Sequence, residues 1–403
     1  MPSSIFAKSR LARIGILDHI SVLGGSQLVI GHIASVLAQD YKVDIIHNGE
    51  GYTLERLSSL FSVNLAQVRE RIIPTIPGSF NLPGRTSLLW QTVGGGRSLS
   101  QPYDLFIYSG HGVPPFCHAR KGLVYCHFPM ELAPLQVVKR DARWERRHQV
   151  DRWLRGALYR LLWRRRFLRY SRILANSSFS ARWIARRWGI PSEVVYPPVE
   201  LQAPKREKQN IIISVGRFTG KRRGKNQLEQ VAAFRQFLST LSQPWQLCLV
   251  GICGEEAEDQ EYLLRVRRAA QDLPVVFYIN EDRSTLSHSL ATAKLFWHTA
   301  GLTTNEEENP QEAEHFGIGT VEAMRAGCIP VVIASGGQRE IIQEGVSGFL
   351  CRDLDELVQK SLTLVCDGQR LLTMGNQVIQ WSRSFAKEAF DRRICTIVSQ
   401  CLE

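Results

Sequence analysis

Two consecutive prolines, Pro197 and Pro198, interrupt a chain that alternates strand-like and helix-like segments on either side of them. Proline fixes φ and lacks an N–H donor, so the pair ends the preceding sheet pattern and stiffens the chain as an extended link. Before it, strands are expected at Ile14–Leu17, Val43–His47, Leu105–Tyr108, Leu123–His127 and Ile173–Ala175. A turn at Gly24-Gly25-Ser26 leads into a helix from Gln27 to about Ala38, and Ser177 or Ser178 would cap a helix ending at Gly189. After it, residues 201–209 are polar, and strands resume at Ile211–Val215, Leu247–Val250, Val275–Ile279, Leu295–His298 and Ile329–Ala334. Such alternation predicts βαβ units and parallel sheets covered on both faces. The 403 residues exceed what one core usually supports, so two Rossmann-like halves are expected. In sheets of this kind ligands sit beyond the C-terminal strand ends, here in a cleft between the halves. A last helical stretch covers Arg370 to Ile397.

Bulk properties narrow the function. No apolar run approaches the ~18–20 residues that span a bilayer. Lys8, Arg10 and Arg13 precede an apolar stretch that holds Asp18 and His19, which reads as a first strand and not a secretory signal. Nine cysteines without a CxxC pair, and without histidine at metal spacing, imply reduced thiols of a cytosol and no metal site. The net charge of +12 points to an anionic partner: a nucleic acid, an anionic membrane or a phosphorylated substrate. Much of the charge gathers between Lys139 and Arg172, where Leu154, Leu158, Leu161 and Leu168 recur at helical spacing among Arg152, Arg155, Arg164, Arg165, Arg166 and Arg169. That pattern fits a basic amphipathic helix on anionic lipid. It fits equally an ordinary helix with its leucines in the core and its arginines in water.

The chemistry concentrates in Glu314-His315-Phe316-Gly317-Ile318-Gly319-Thr320-Val321-Glu322. Thr320 to Ala326 reads as a short helix closed by Gly327, followed by a strand and then Gly336-Gly337. A glycine turn running into a helix start presents unpaired N–H groups beside a partial positive charge, a site for a diphosphate. Carboxylates at its edge can accept hydrogen bonds from hydroxyls. Phosphate donors beside hydroxyl acceptors suit a nucleotide-activated sugar. An acidic loop capping a surface helix is the plainer alternative.

Glu314 to Gly327, continued by Ser335-Gly336-Gly337, resembles the donor-site signature of the retaining glycosyltransferases of family 4. The spelling with His315 and then Gly317-Ile318-Gly319 is similar to a mannosyltransferase branch that extends lipid-linked oligosaccharides. The resemblance implies an α/β chain of GT-B fold, with two Rossmann-like domains facing each other across a cleft. It assigns 1–198 to the acceptor domain, 199–375 to the donor domain and 376–403 to a helix packing back on the first. It also implies site residues. Glu314 would bond donor hydroxyls, while N–H groups from Phe316 to Gly319 hold sugar or phosphate oxygens. His315, Thr320 and Glu322 complete that segment, with Glu322 accepting the ribose hydroxyls. Arg217, after the strand ending at Val215, and Lys225, just before a helix, would hold the diphosphate, although Lys221, Arg222 and Arg223 are cationic alternatives in the same loop. Gly24 and Gly25 would close over the donor or meet the acceptor, and His127 would stand at the acceptor–donor junction. The base pocket is expected near Asn280 to Arg283.

The resemblance implies no cofactor and no metal. Asp353-Leu354-Asp355 spells a DxD metal motif, but at an expected helix start, where carboxylates serve the helix dipole. The implied reaction is metal-independent hexosyl transfer with retention, with mannose the suggested sugar. The implied acceptor is a glycan or lipid-linked, and the setting is the cytoplasm or the cytoplasmic membrane face. A sugar-nucleotide epimerase, a phosphorylase or a silent scaffold would share the fold. A basic nucleic-acid-binding protein is a further alternative, but no nucleic-acid fold signature accompanies the arginines and no nucleic acid is expected.

Overall fold

The computed structural model describes residues 11–18, 24–49, 53–73, 95–130, 163–200, 203–220 and 224–403. The chain divides into two compact units. One holds Met1–Asn176, Ser180–Val195 and Asp391–Glu403; the other holds Ser177–Phe179 and Tyr196–Phe390.

The first unit is built on a seven-stranded parallel sheet. Its strands are β1 (Arg13–Asp18), β2 (Lys42–His47), β3 (Arg69–Ile72), β4 (Leu105–Gly110), β5 (Lys121–Cys126), β6 (Tyr170–Ala175) and β7 (Glu193–Val194), in the order β3-β2-β1-β4-β5-β6-β7. Every residue of β4 is buried, as an apolar strand covered on both faces should be. β6 begins earlier than its apolar run because Tyr170 packs flat on Gly122, where an added Cβ would lie 2.7 Å from the ring. The Tyr170 hydroxyl also donates to the Pro115 carbonyl at 2.9 Å.

The second unit holds six parallel strands: β8 (Gln209–Val215), β9 (Gln246–Gly251), β10 (Val275–Ile279), β11 (Ala293–His298), β12 (Ile329–Ile333) and β13 (Phe349–Cys351). Their order is β10-β9-β8-β11-β12-β13. Successive strands therefore step away from β8 in one direction and, after β11, in the other. Phe234, Phe237, Trp245 and Trp297 fill the core beneath the sheet, and the Trp297 indole donates to Ser361 Oγ at 2.9 Å.

Two expectations need correction. The stretch Arg370–Ile397 is not one helix. Helices Gly368–Ser382 and Lys387–Leu402 are separated by a 3-10 turn at Arg383–Phe385 and an extended Ala386. Phe385 is buried at this break, 5.2 Å from the Tyr196 ring and 5.8 Å from Phe316, which turns the chain out of helical phase. The arginine-rich pattern also breaks. Lys139 to Leu162 lie outside the described residues. Beyond them Trp163, Arg166 and Phe167 are buried, with the Arg166 guanidinium 5.5 Å from the Phe116 ring. Leu168 is 80% exposed, beside exposed Arg164, Arg165 and Arg169. The helix gives way to a 3-10 turn at Phe167–Arg169 that feeds β6, so helical phase does not carry through to Leu168. Among the described residues no helix is long and apolar enough to cross a membrane.

The ends of β8 and β9 approach so closely that a Cβ on Gly251 would lie 1.9 Å from the Gly216 carbonyl oxygen. Gly251→Ala should therefore cost about 1–3 kcal/mol through forced backbone displacement. A lowered urea-unfolding midpoint would show this; an unchanged midpoint would mean that the two strand ends are free to part.

Candidate active site

β8 and β11 are paired neighbours from which the chain departs in opposite directions. This is the switch point at which open α/β sheets leave a crevice beyond the strand ends. Val215-Gly216-Arg217 leaves β8 there, and His298 ends β11. Gly216 lets the Lys225 stem cross it, since an added Cβ would meet Lys225 Cγ at 2.3 Å.

The backbone at Lys225 is stapled to the end of β11. Its carbonyl accepts from Thr299 Oγ1 at 2.6 Å and Gln230 Nε2 at 2.9 Å, and Gln230 Nε2 also bonds Thr299 Oγ1 at 2.8 Å. Asn226, in the left-handed region at φ 49°, donates its amide to the Thr299 carbonyl at 2.7 Å. The Arg217 carbonyl accepts from Gln227 Nε2 at 3.1 Å, which fixes the base of that exposed side chain. Lys221, Arg222 and Arg223 lie outside the described residues.

Lys225 Nζ forms an ion pair with Glu314 Oε2, and the same oxygen lies 2.8 Å from His298 Nε2. Nζ and Nε2 are 3.5 Å apart. The Lys225, Glu314 and His298 side chains are 23%, 17% and 4% exposed. A carboxylate accepts only, so the short Nε2···Oε2 contact places the imidazole proton on Nε2. His298 Nδ1 then carries the lone pair, and it is buried without a partner among the described residues. Burial works to raise the Glu314 pKa, but the Lys225 ammonium and the His298 hydrogen bond outweigh it and hold the carboxyl well below the usual range. Burial first, then Lys225, pulls His298 below its ordinary value, despite the opposing pull of Glu314.

Glycines set the Glu314 backbone. Gly336, at φ 54°, could not carry a Cβ, which would lie 1.9 Å from the Glu314 carbonyl oxygen. Gly337 N–H donates to that oxygen at 2.7 Å. Gly317, at φ 116°, opens the helix Ile318–Arg325, and its carbonyl accepts from Thr320 and Val321. The Ile318 and Gly319 N–H groups precede the first intrahelical donor, Thr320 N–H, the arrangement that receives anions.

The remaining expected residues fall as follows. Glu322 is 5% exposed and its Oε1 is paired with Arg283 Nη2, which also donates to the Glu200 carbonyl at 3.2 Å. Thr320 is fully buried, and its hydroxyl accepts from Gln338 Nε2 at 2.9 Å. Phe316 is a core residue stacked on Tyr196 at 5.5 Å. The His315 ring lies 6.4 Å from Phe179, nearly parallel. In the first unit, His127 Nε2 lies 2.9 Å from Ser109 Oγ, and its ring is 5.5 Å from that of His111 and 5.2 Å from that of Tyr125. Gly24, at φ 179°, is in extended backbone that any residue adopts, and Gly25 begins the helix Gly25–Leu37. Asp353 caps the helix Leu354–Val365, accepting from Glu356 N at 2.8 Å. Among the described residues no group of three or more His, Cys, Asp or Glu could hold a metal ion.

Sequence reasoning missed His298, Thr299 and Gln230, and took Arg283 only as the edge of a base pocket. His298 carried the signal that singled out His127: a lone polar residue ending an apolar strand.

Comparison with known proteins matches this architecture. Glycosyltransferase Family 4 covers residues 23–203 and Glycosyl transferases group 1 covers residues 200–381. The chain belongs to these glycosyltransferases, and its fold is the two-domain α/β GT-B fold. More particularly, it is 32% identical over 208 residues to the human GDP-Man:Man(3)GlcNAc(2)-PP-Dol alpha-1,2-mannosyltransferase, covering 46% of this chain and 39% of that protein. The chain thus spans well under half of that relative's length. It is 27% identical over 321 residues to human alpha-1,3/1,6-mannosyltransferase ALG2, covering 72% of this chain and 71% of that one. In structure it resembles HepE of Anabaena, solved with UDP and glucose, at TM-score 0.65, 17% identity and coverage of 96% and 100%. The glycosyltransferase WaaG aligns at TM-score 0.63 and 11% identity, over 95% of this chain and 99% of that one.

The depressed Glu314 carboxyl makes the cluster acid-sensitive. Its stabilising contribution is complete above the ordinary value of 4.5 and is lost as pH falls through the lower folded value. Wild type should therefore lose stability relative to Glu314→Gln as the pH drops from about 6 to about 3. Thermal melts of the two proteins across that range check this, and parallel curves would contradict it.

Proposed function

We propose that this protein is a retaining glycosyltransferase that moves a hexose from a nucleoside-diphosphate sugar to a lipid-linked oligosaccharide. The observation that carries the reading is the meeting of Lys225 and Glu314, 89 residues apart in sequence, beside the glycine-opened helix Ile318–Arg325. Relatives whose names specify GDP-Man and a dolichol-linked oligosaccharide favour mannose as the sugar and guanine as the base.

In this reading Arg217, Lys225 and the helix start stabilise the departing diphosphate. Glu314 accepts hydrogen bonds from the sugar hydroxyls and holds the ring for attack. Glu322, oriented by Arg283, accepts the ribose hydroxyls. No carboxylate is assigned as a nucleophile: the acceptor hydroxyl attacks the face the diphosphate leaves, and a departing phosphate oxygen takes its proton. His127 is the first unit's candidate for contact with substrate, and Gly24-Gly25 its candidate loop. No step uses a metal.

Thermal-shift measurements against GDP-mannose, UDP-glucose and ADP-glucose test the donor class. A ligand at about 100 times its Kd adds about 2.7 kcal/mol, and GDP-mannose is expected to give the largest shift. Glu314→Ala should abolish transfer while the protein still melts cooperatively. Near-normal turnover by that variant would remove Glu314 from the site.

We also infer peripheral attachment to an anionic membrane through exposed Leu168 and the exposed Arg164, Arg165 and Arg169 around it. Each arginine near a charged surface contributes about 1 kcal/mol, screened by salt. Replacing these three arginines with Gln, and leaving buried Arg166 intact, should release the protein from phosphatidylglycerol vesicles at low salt. Equal binding of variant and wild type would exclude this patch.

A further inference from the structure

Glu314 and Lys225 satisfy one another in the structure, yet the proposed reaction needs both for the donor. The Lys225 ammonium reaches the carboxylate at Oε2, the oxygen that also contacts His298 Nε2. Lys225 cannot give its full charge to a diphosphate while it rests on a carboxylate. Nor can Glu314 turn freely to sugar hydroxyls while one oxygen holds an ammonium. His298 is placed differently. It ends a strand, is 4% exposed, lies against Phe296 with the rings nearly parallel at 6.0 Å, and its Nε2–H is directed at Glu314. A side chain that fixed stays in place when a flexible lysine moves.

We propose that the Lys225–Glu314 pair is a resting latch which the donor diphosphate opens, and that His298 is the positioning residue that keeps Glu314 in place once Lys225 has left. The inference rests on the donor-site reading above. The diphosphate competes with Glu314 for Lys225, so the free enzyme binds a nucleoside diphosphate more weakly than an unlatched site would. Once the latch opens, Glu314 keeps one hydrogen bond, from His298, and its second oxygen is open to the sugar. Among the described residues, the charged and titratable groups facing His298 are Lys225, from the loop before the helix Gln227–Thr240, and Glu314, from the loop before Ile318–Arg325. Burial and the nearby ammonium keep His298 neutral, so it acts as a hydrogen-bond donor and not as a charge.

The test is titration calorimetry of GDP and UDP, without sugar, into four proteins: wild type, Glu314→Gln, Lys225→Met and the double variant. Glu314→Gln should bind the diphosphate about fivefold more tightly than wild type, the gain expected from breaking a partly exposed ion pair. In the Lys225→Met background the same change should give little or no gain, because no ammonium remains to be freed. An equal gain in both backgrounds would mean simple relief of charge repulsion and would overturn the latch. So would unchanged or weaker binding by Glu314→Gln. Failure of wild type to bind either diphosphate would sink the donor-site reading itself, and the latch with it.

His298 is tested by turnover. His298→Leu should lower kcat by tenfold or more with KM for the donor changed far less. His298→Gln, whose amide N–H can reach where Nε2 sits, should recover most of it. If both variants lower kcat and melting temperature together without rescue by Gln, His298 is structural and has no positioning role.

Discussion

The pairing of β8 with β11 is the constraint on which the site depends. It places the end of a strand that leads to Arg217 and Lys225 beside the end of one that stops at His298. Residues 73 and 89 apart in sequence then meet within one hydrogen-bond network. Removing an acid and a base partly from water is favourable only when both are held at good geometry. Here the geometry comes from a braced backbone: the Thr299, Gln230 and Asn226 side chains tie the Lys225 loop to the end of β11, and Gly336-Gly337 packs directly on the Glu314 carbonyl. At Gly216 and Gly336 the approach is so close that no Cβ could fit without displacement.

Much of this was legible in the sequence because buried parallel strands write themselves as unbroken apolar runs. β1, β4, β5, β9, β11 and β12 all declare themselves that way. The short helix after Gly317 was legible from its glycines, since Gly317 and Gly327 both have positive φ. β3, Arg-Glu-Arg-Ile, was not: it is an edge strand, largely exposed, and carries no apolar run. The break at Arg383–Ala386 was not legible either. No glycine or proline marks it, and its cause is Phe385 burying itself against Tyr196 and Phe316. Arg166 and Leu168 exchanged their expected faces for a similar reason: a 3-10 turn reset the helical phase.

Within the site, the two carboxylates and Lys225 were readable, and how they pair was not. Glu314 and Glu322 stand at a recognisable spacing beside glycines. His298 stands alone, and its meeting with Glu314 follows from strand order, which periodicity does not encode. Arg283 is similar. It becomes the partner of Glu322 because the parallel strands β10 and β11 carry the segments that follow them to the same end of the sheet. Both motif carboxylates are thus neutralised by cations delivered from other strand ends of the same sheet.

Two lysines of the second unit are held in different ways. Lys208 donates to the carbonyls of Leu290, Ala293 and Ala326 at 3.1, 2.8 and 2.7 Å. Those carbonyls lie at or near the C-terminal ends of the helices Arg283–Thr292 and Ile318–Arg325, where a positive charge completes the helix dipole. All three of its N–H groups have protein acceptors, and burial lowers its pKa. Moving Lys208 would expose three carbonyls at once. Lys225 leans on a single carboxylate oxygen that a histidine already serves, and its side chain is 23% exposed. Moving it releases one ion pair and leaves the acceptor still bonded. Lys225 stands at the sheet's switch point, beside the helix that opens at Gly317.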